Sequence, residues 1–265
     1  MTAGTWAVAA WCRLRKLSPW LGLVYALFVG QVIAFTRDLT EVLAYALVAL
    51  AIYLYESRPR HRLWAGALFG LAALARETTL IFPLLYGIRL FVEHDDGIPT
   101  SRRVSRVAIF AALSFAPAVL WQIYLYGWLG TFGWLRVEGF PRVPFGGLNT
   151  LYVLTVYTLD VVQTVVVSGV ICMVVGVLTL WREPQARGRV EVWGLALQSF
   201  LFVALMHPDS LYEIYGSARI AIPIVMCAIY TLAFVRWRGW FYFCAGLWLA
   251  PTVSYMLNPI LKLWH

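Results

Sequence analysis

Long apolar runs, separated by short polar segments, follow one another from one end of the chain to the other. The runs are about 15 to 20 residues long, and a helix needs about 20 apolar residues to cross a bilayer. The pattern predicts an all-α fold, a polytopic transmembrane helical bundle of about nine membrane helices that forms a single domain over residues 1–265. The predicted helices cover 19–36, 40–56, 63–75, 78–92, 105–126, 160–181, 192–206, 219–235 and 240–257.

Three stretches depart from this regular pattern. Residues 63–75 and 78–92 are each short for a full span, so they form either one broken element or a tight pair of helices. Residues 1–17 reach a basic cluster after too few apolar residues to cross a bilayer, which predicts either an amphipathic stub on the surface or a truncated helix. Residues 127–159 form a long external loop, with a candidate surface helix at 151–159.

Basic residues fall on one side of the membrane once the chain is threaded through it. Five clusters lie in alternate connections, and most acidic residues collect on the other side. Because cytoplasmic loops are enriched in Lys and Arg, the basic side is predicted to be cytoplasmic. Residues 93–96, on this side, are predicted to form a solvated turn. The clusters are Arg13, Arg15 and Lys16; Arg58, Arg60 and Arg62; Arg102, Arg103 and Arg106; Arg182, Arg187 and Arg189; and Arg236 and Arg238.

Composition excludes a soluble domain. Hydrophobic residues make up 62% of the chain and charged residues 13%, and the mean hydropathy is +0.75. The net charge of +8 is explained by cations in short loops beside lipid headgroups, so no nucleic-acid partner is expected. The four cysteines lack the spacing of a metal site and are interpreted as packing residues.

Two acidic residues open the predicted helix 40–56. Asp38 and Glu41 lie one helical turn apart, where carboxylates complement the helix dipole and, with Thr40, cap free N–H groups. A carboxylate at an external helix end can also remove the proton of an acceptor hydroxyl. Both interpretations stay open, and Asp38 and Glu41 are the candidate catalytic residues.

Arg76 and Glu77 interrupt an apolar stretch in which topology requires neither charge. Either they form an internal ion pair between neighbouring helices, or Arg76 binds a phosphate group while Glu77 orients it or meets a cation. His207 and Asp209 offer an imidazole and a carboxylate to a divalent metal, although their spacing matches no metal motif. Further candidates for binding an anionic substrate are Arg136, Arg142, Tyr215 and Arg219.

These groups suit the transfer of a group from a lipid phosphate whose tail stays in the bilayer. Arginines would hold the phosphate leaving group, a carboxylate would deprotonate the acceptor hydroxyl, and a metal would assist. The sequence contains no nucleophile motif, glycine-rich phosphate loop or HExxH motif that would favour another reaction.

Residues 66–85 read GALFGLAALARETTLIFPLL. Together with the polar opening at 37–41, the basic turn at 57–62 and the segment 215–219 before a helix with Pro223, they resemble GT-C-type membrane glycosyltransferases, in particular the bacterial relatives of protein O-mannosyltransferases. The resemblance covers residues 7–235.

The resemblance implies a GT-C-like bundle, a polyprenyl-phosphate-linked sugar donor, inverting transfer on the extracytoplasmic face of the bacterial inner membrane and, often, a divalent metal. The family's catalytic acid lies in the first external loop, directly after the first membrane helix. This chain is expected to begin after that loop, so the family's base is not carried over to Asp38 or Glu41. Arg76, Glu77 and Arg219 match positions of the family's pattern.

Two hypotheses follow. The first is a GT-C-like glycosyltransferase, complete or as the carboxyl-terminal part of one. The alternative is a non-catalytic integral membrane subunit that retains a truncated GT-C-like scaffold and packs against membrane lipids or other membrane subunits. A transporter fits less well, because the charges gather at helix ends and not at the bilayer midplane.

Overall fold

The computed structural model describes residues 1–37, 39–93, 100–132, 144–146, 161–205 and 214–262. Within these ranges the chain is helical and has no β-strand, which confirms the predicted all-α fold. Short 3₁₀ turns cover Pro59–His61, Glu77–Leu80 and Pro184–Gly188, and a π-helical segment, Val162–Val167, precedes α8. The α-helices, numbered in chain order, are α1 (Thr2–Leu14), α2 (Leu21–Leu27), α3 (Val29–Thr36), α4 (Thr40–Ser57), α5 (Arg62–Ala75), α6 (Ile81–Val92), α7 (Thr100–Leu129), α8 (Ser168–Arg182), α9 (Val190–Leu205), α10 (Ile214–Ile220), α11 (Ile222–Thr231) and α12 (Gly239–Lys262).

Four stretches of the described chain are long and apolar enough to cross a bilayer: Thr40–Ser57, Thr100–Leu129, Val162–Arg182 and Ile214–Thr231. They support the predicted membrane location. The sequence predicted about nine spans, which is more than these four. For example, α5 has 14 residues and α6 has 12, and 14 residues of α-helix extend only about 21 Å, against about 30 Å of hydrocarbon core.

The interior is filled by aromatic side chains. Trp11 packs on Tyr230 with ring centroids 4.3 Å apart, and Tyr55 meets Tyr86 edge to face at 4.8 Å. Segment 1–17 contributes to this core, since α1 packs against α2 and α4 and buries Trp11 completely. Large apolar side chains also cover the outer surface, as contact with lipid requires. Exposed examples are Trp20, Trp64, Trp128, Trp181 and Trp237.

Three backbone breaks shape the bundle. The predicted helix 19–36 is two helices that meet at Phe28, whose ψ of 130° is not helical. The predicted helix 219–235 begins earlier, at Ile214, and is interrupted at Ala221, just before Pro223. Arg76 is fully extended, with φ −158° and ψ 118°, and separates α5 from α6. Residues 63–92 therefore form the tight pair of helices that was one of the two expectations.

Charged residues that are distant in sequence meet at the two termini of α4. Glu41, in its first turn, meets Arg76 and Arg219, and we name this the Glu41 end. Glu56, in its last turn, meets Arg15 and Arg89, and we name this the Glu56 end. The other described basic clusters reach the Glu56 end through the Arg103 bond to the Phe91 carbonyl and the packing of Arg15 and Arg189 on Phe234. The same-side arrangement agrees with the predicted alternation, and the compartment that each end faces stays a prediction.

Candidate functional site

The turn at Arg76 is fixed by hydrogen bonds on both sides. The amide of Arg76 donates to the carbonyl of Ala72 over 2.8 Å, and the buried hydroxyl of Thr79 donates to the carbonyl of Arg76 over 2.8 Å. The hydroxyls of Thr78 and Tyr45 lie 3.3 Å apart and join the turn to α4. Because the backbone N–H and C=O groups of the break form local hydrogen bonds, the extended conformation of Arg76 is stable. The Arg76 side chain points towards α4, where it pairs with Glu41.

Glu41 is the centre of this end. Its carboxylate lies 2.6 Å from a guanidinium nitrogen of Arg76 and 3.5 Å from one of Arg219. The Glu41 side chain is 1% exposed, whereas those of Arg76 and Arg219 are 26% and 35% exposed. The residue before the first turn of α4, Leu39, offers no side-chain cap. Glu41 therefore combines a first-turn position with two ion pairs, and the arginines keep one side open to the surroundings.

A third guanidinium group lies next to this pair. Arg37, which follows α3, stacks on the ring of Tyr215 with its guanidinium carbon 4.1 Å from the ring centre. Tyr215 precedes Arg219 by one turn on α10. Helices α3 and α10 can approach closely because Gly30 has no side chain. A Cβ atom at this position would overlap the carbonyl of Ala218. We call Arg37, Glu41, Arg76, Tyr215 and Arg219 the Glu41 cluster.

Glu77 points to a different partner. Its carboxylate accepts a hydrogen bond of 2.9 Å from the amide of Gln122 on α7. The internal pair that the sequence offered between Arg76 and Glu77 is therefore wrong, since Arg76 pairs with Glu41. Arg76 is extended and Glu77 begins the 3₁₀ turn, and their side chains reach different helices, α4 for Arg76 and α7 for Glu77.

The Glu41 cluster holds three guanidinium groups and one carboxylate. The arginines come from three separate stretches of chain, so their donors converge on a small region at the end of α4. Guanidinium groups bind carboxylate or phosphate oxygens through paired N–H donors. Among the described side chains, positive charge remains after Glu41 is counted, which suits a further anion.

The remaining predicted site residues fall outside the described part of the chain. These are Asp38, Arg136, Arg142, His207 and Asp209. Within the described ranges, no group of three His, Cys, Asp or Glu side chains is arranged to hold a metal ion. The predicted divalent metal thus remains a prediction, as does the catalytic role of Asp38.

A second charged cluster, at the Glu56 end, was not predicted from the sequence. Glu56 pairs with both Arg15 and Arg89. Arg89 also contacts Glu93 at 2.6 Å and Glu191 at 3.6 Å, and Arg62 contacts Glu93 at 2.8 Å. Two arginines thus hold Glu93, whereas the other residues of the predicted turn, 94–96, lie outside the described part of the chain. We call Arg15, Glu56, Arg62, Arg89, Glu93 and Glu191 the Glu56 cluster.

The sequence carried a signal for this second cluster. Arg89 lies inside an apolar run, as Arg76 does, so the reasoning that singled out Arg76 applies to it equally. Arg37 was noted only as part of the opening 37–41. Its place beside Tyr215 depends on the packing of α3 on α10, which has no local signal in the sequence.

Comparison of the chain with protein-family models, curated proteins and solved structures found no match.

Proposed function

We propose that the Glu41 cluster binds the phosphate group of a polyprenyl-phosphate-linked sugar, and that the chain is a GT-C-like glycosyltransferase acting on the extracytoplasmic face of the bacterial inner membrane. The observation that carries the proposal is that, among the described residues at the Glu41 end, guanidinium groups outnumber carboxylates. The cluster lies at the termini of membrane-length helices. A substrate with a charged head and a tail in the bilayer fits this position.

The reaction would be a single displacement with inversion at the anomeric carbon. The acceptor hydroxyl oxygen forms a bond to that carbon while the bond between the carbon and the phosphate oxygen breaks. The electron pair leaves with the phosphate, where Arg76 and Arg219 stabilise the charge. The hydroxyl proton passes to a carboxylate, for which Asp38 and Glu41 are the candidates. No step is assigned to a metal.

The burial of Glu41 favours a second candidate, the non-catalytic membrane subunit. A general base has to come within hydrogen-bond reach of the proton that it removes. Glu41 is almost inaccessible and is held by two arginines, which is also the arrangement of a structural ion pair. In that case the cluster would bind a lipid headgroup or hold the scaffold together without transferring a sugar.

The first experiment measures lipid binding by the purified protein in nanodiscs. Polyprenyl monophosphate is compared with polyprenol, which has the same tail without the phosphate. We expect Arg76→Gln and Arg219→Gln each to weaken phosphate binding by about 10- to 100-fold, because a charge-assisted hydrogen bond contributes roughly 1.5 to 3 kcal/mol. Arg106→Gln, an exposed arginine on α7, is the control and should bind like the wild type. Equal affinity for the two lipids would contradict the proposal.

The second experiment separates the two candidates. Membranes that contain the protein receive polyprenyl-phosphate sugars with a radiolabelled sugar, and transfer to endogenous acceptors is measured. An enzyme loses transfer in Arg76→Gln and in the carboxylate variants Asp38→Asn and Glu41→Gln. A protein that binds polyprenyl phosphate but transfers none of the labelled sugars, while it migrates in a larger assembly, would favour the subunit.

A further inference from the structure

The Arg89 guanidinium group contacts three carboxylates, and it cannot pair closely with all of them. It pairs closely with Glu56 and lies 2.6 Å from Glu93 but 3.6 Å from Glu191. Glu56 and Glu93 each have a second arginine, Arg15 and Arg62 respectively. Among the described side chains, Arg89 is the one cation within 4 Å of the Glu191 carboxylate. Glu191 is thus the most weakly paired carboxylate of the Glu56 cluster.

Glu191 is also the most deeply buried of these carboxylates. Its side chain is 1% exposed, and neither carboxylate oxygen accepts a hydrogen bond from another residue in the described part of the chain. The hydroxyls of Tyr86 and Tyr230 lie within electrostatic range of Glu191. They too are buried and have no hydrogen-bond partner among the described groups. An ionised carboxylate is costly to bury without hydrogen bonds, which favours a bound proton on Glu191.

Several packed elements surround Glu191. It lies in the first turn of α9, one residue before the apolar run 192–206, and the hydroxyl of Thr231 donates to its backbone carbonyl. The titratable and charged groups on the surrounding elements are Cys12 and Arg15 near the end of α1, Glu56 on α4, Tyr86 and Arg89 on α6, Cys172 and Arg182 on α8, Arg187 and Arg189 in the turn before α9, and Cys227 and Tyr230 on α11.

A proton on Glu191 would leave Arg89 with two ionised carboxylates instead of three. Burial raises the pKa of the Glu191 carboxyl, and the nearby carboxylate of Glu56 raises it further, to about 7. Protonation removes the charge of the Glu191 carboxylate, and with it the cost of burying that charge without hydrogen bonds. With Glu191 neutral, Arg89 serves only Glu56 and Glu93, which matches the observed distances.

We propose that Glu191 is a proton-binding site, which holds a proton near neutral pH and releases it when the pH at the Glu56 end rises. After release, the Glu191 carboxylate competes with Glu56 and Glu93 for Arg89. These residues join α4, α6 and α9, so the packing of three helices responds to pH. If the Glu56 end is cytoplasmic, as its arginines predict, the site reports the pH of the cytoplasm.

Infrared spectroscopy of the purified protein tests the proposal, because a protonated carboxyl has a carbonyl band that a carboxylate lacks. In the wild type, we expect a band that disappears as the pH rises through about 7 and that shifts in D₂O. Glu191→Gln should lack this band. Glu183→Gln, which removes a carboxyl in the turn just before α9, is the matched control and should retain it.

Three results would overturn the proposal: a wild type without such a band, a band that persists in Glu191→Gln, or a band that Glu183→Gln removes. If Glu191→Gln does not fold, Glu191→Asp replaces it. The shorter carboxyl must then shift the frequency or the titration of the band, and an unchanged band would assign the proton to another residue.

Discussion

The two termini of α4 differ in how their charged groups are shared. At the Glu41 end, one carboxylate is shared by Arg76 and Arg219. At the Glu56 end, one guanidinium, that of Arg89, is shared by three carboxylates. Glu41, Glu56 and Glu191 are almost fully buried, and charge interactions are stronger at such sites than in water.

This difference in how the charged groups are shared indicates what each cluster can bind. Surplus guanidinium donors attract an anion, so the Glu41 end suits a phosphate group. At the Glu56 end the three arginines equal the three carboxylates in number, but the buried Glu191 meets only the shared Arg89 among the described side chains, so this end suits a titratable site. The same two side-chain types therefore support different functions at the two ends, and the ratio and burial of the groups decide which one.

The largest expected effect comes from Arg89→Ala. This change leaves Glu191, which is 1% exposed, without its one cation among the described side chains, and leaves Glu56, which is 5% exposed, with Arg15 alone. Removing one partner of a buried ion pair costs about 3 to 5 kcal/mol of stability. We expect a loss of this size in the unfolding free energy, measured by chemical denaturation in detergent with circular dichroism as the signal.

Arg76→Ala is the matched comparison at the other end. Arg76 is more exposed than Arg89 (26% against 11%), and it pairs with one carboxylate, whereas Arg89 contacts three. Its loss should therefore cost clearly less than the loss of Arg89, and the exposed Arg106→Ala should cost almost nothing. Equal losses for Arg89→Ala and Arg76→Ala would show that the two clusters do not differ as the structure indicates.

A smaller, pH-dependent effect is expected for Glu191→Gln. The folded-state pKa of about 7 lies above the usual value of a glutamate, about 4.3, so the folded protein holds the proton more tightly than the unfolded chain. Stability of the wild type then falls as the pH rises from about 4.3 to 7 and levels off above that.

Glu191→Gln removes this dependence. Near pH 4 the variant and the wild type should differ little, whereas at pH 8 the variant should be more stable by up to roughly 3 kcal/mol. Melting temperatures of both proteins across this range give the measurement, with Glu183→Gln as the control. A constant difference between Glu191→Gln and the wild type at all pH values would indicate a packing effect without a proton.

The sequence was sufficient for the helical fold, the break at Arg76 and the position of Glu41 in a first turn. These features depend on local patterns, namely apolar runs and charges that topology does not need. The partners of these residues were not predictable, because the pairing of Glu41 with Arg76 depends on how α4 packs against α5.

The predicted helix count was affected for the same reason, because it also depends on packing between helices. Apolar runs predict where helices form but not where packing bends them, as at Phe28 and Ala221. The Glu56 cluster was missed for a related reason. Arg15 and Arg62 had already been assigned to membrane orientation and Arg89 was not singled out, and the sequence does not show that Arg15 and Arg89 share the buried carboxylate of Glu56.

Glu41→Gln tests the surplus of positive charge directly. Without the Glu41 carboxylate, Arg76 and Arg219 lose their counter-charge, so inorganic phosphate should bind more tightly to the variant than to the wild type. At a phosphate concentration about ten times the dissociation constant, the gain in stability is about 1.4 kcal/mol. Melting temperatures are measured in phosphate and in chloride at equal ionic strength.

Glu77→Gln is the control for this test, since the Glu77 carboxylate accepts from Gln122 and balances neither of these arginines. It should respond to phosphate as the wild type does. A phosphate response that is the same in Glu41→Gln, Glu77→Gln and the wild type would place any anion site elsewhere.

The smallest expected effect concerns the stacking of Arg37 on Tyr215, which a double-mutant cycle with Arg37→Gln and Tyr215→Leu measures. An exposed cation–π pair contributes about 0.5 to 1 kcal/mol, and we expect a coupling energy of this size without ligand. The stacking of Arg62 on Tyr55, at 4.9 Å, is the matched pair at the Glu56 end. Polyprenyl phosphate should lower the first coupling, because Arg37 turns towards the phosphate. It should leave the second unchanged, because Arg62 stays paired with Glu93. Equal changes in the two couplings would remove Arg37 from the anion site and leave Arg76 and Arg219 as its guanidinium groups.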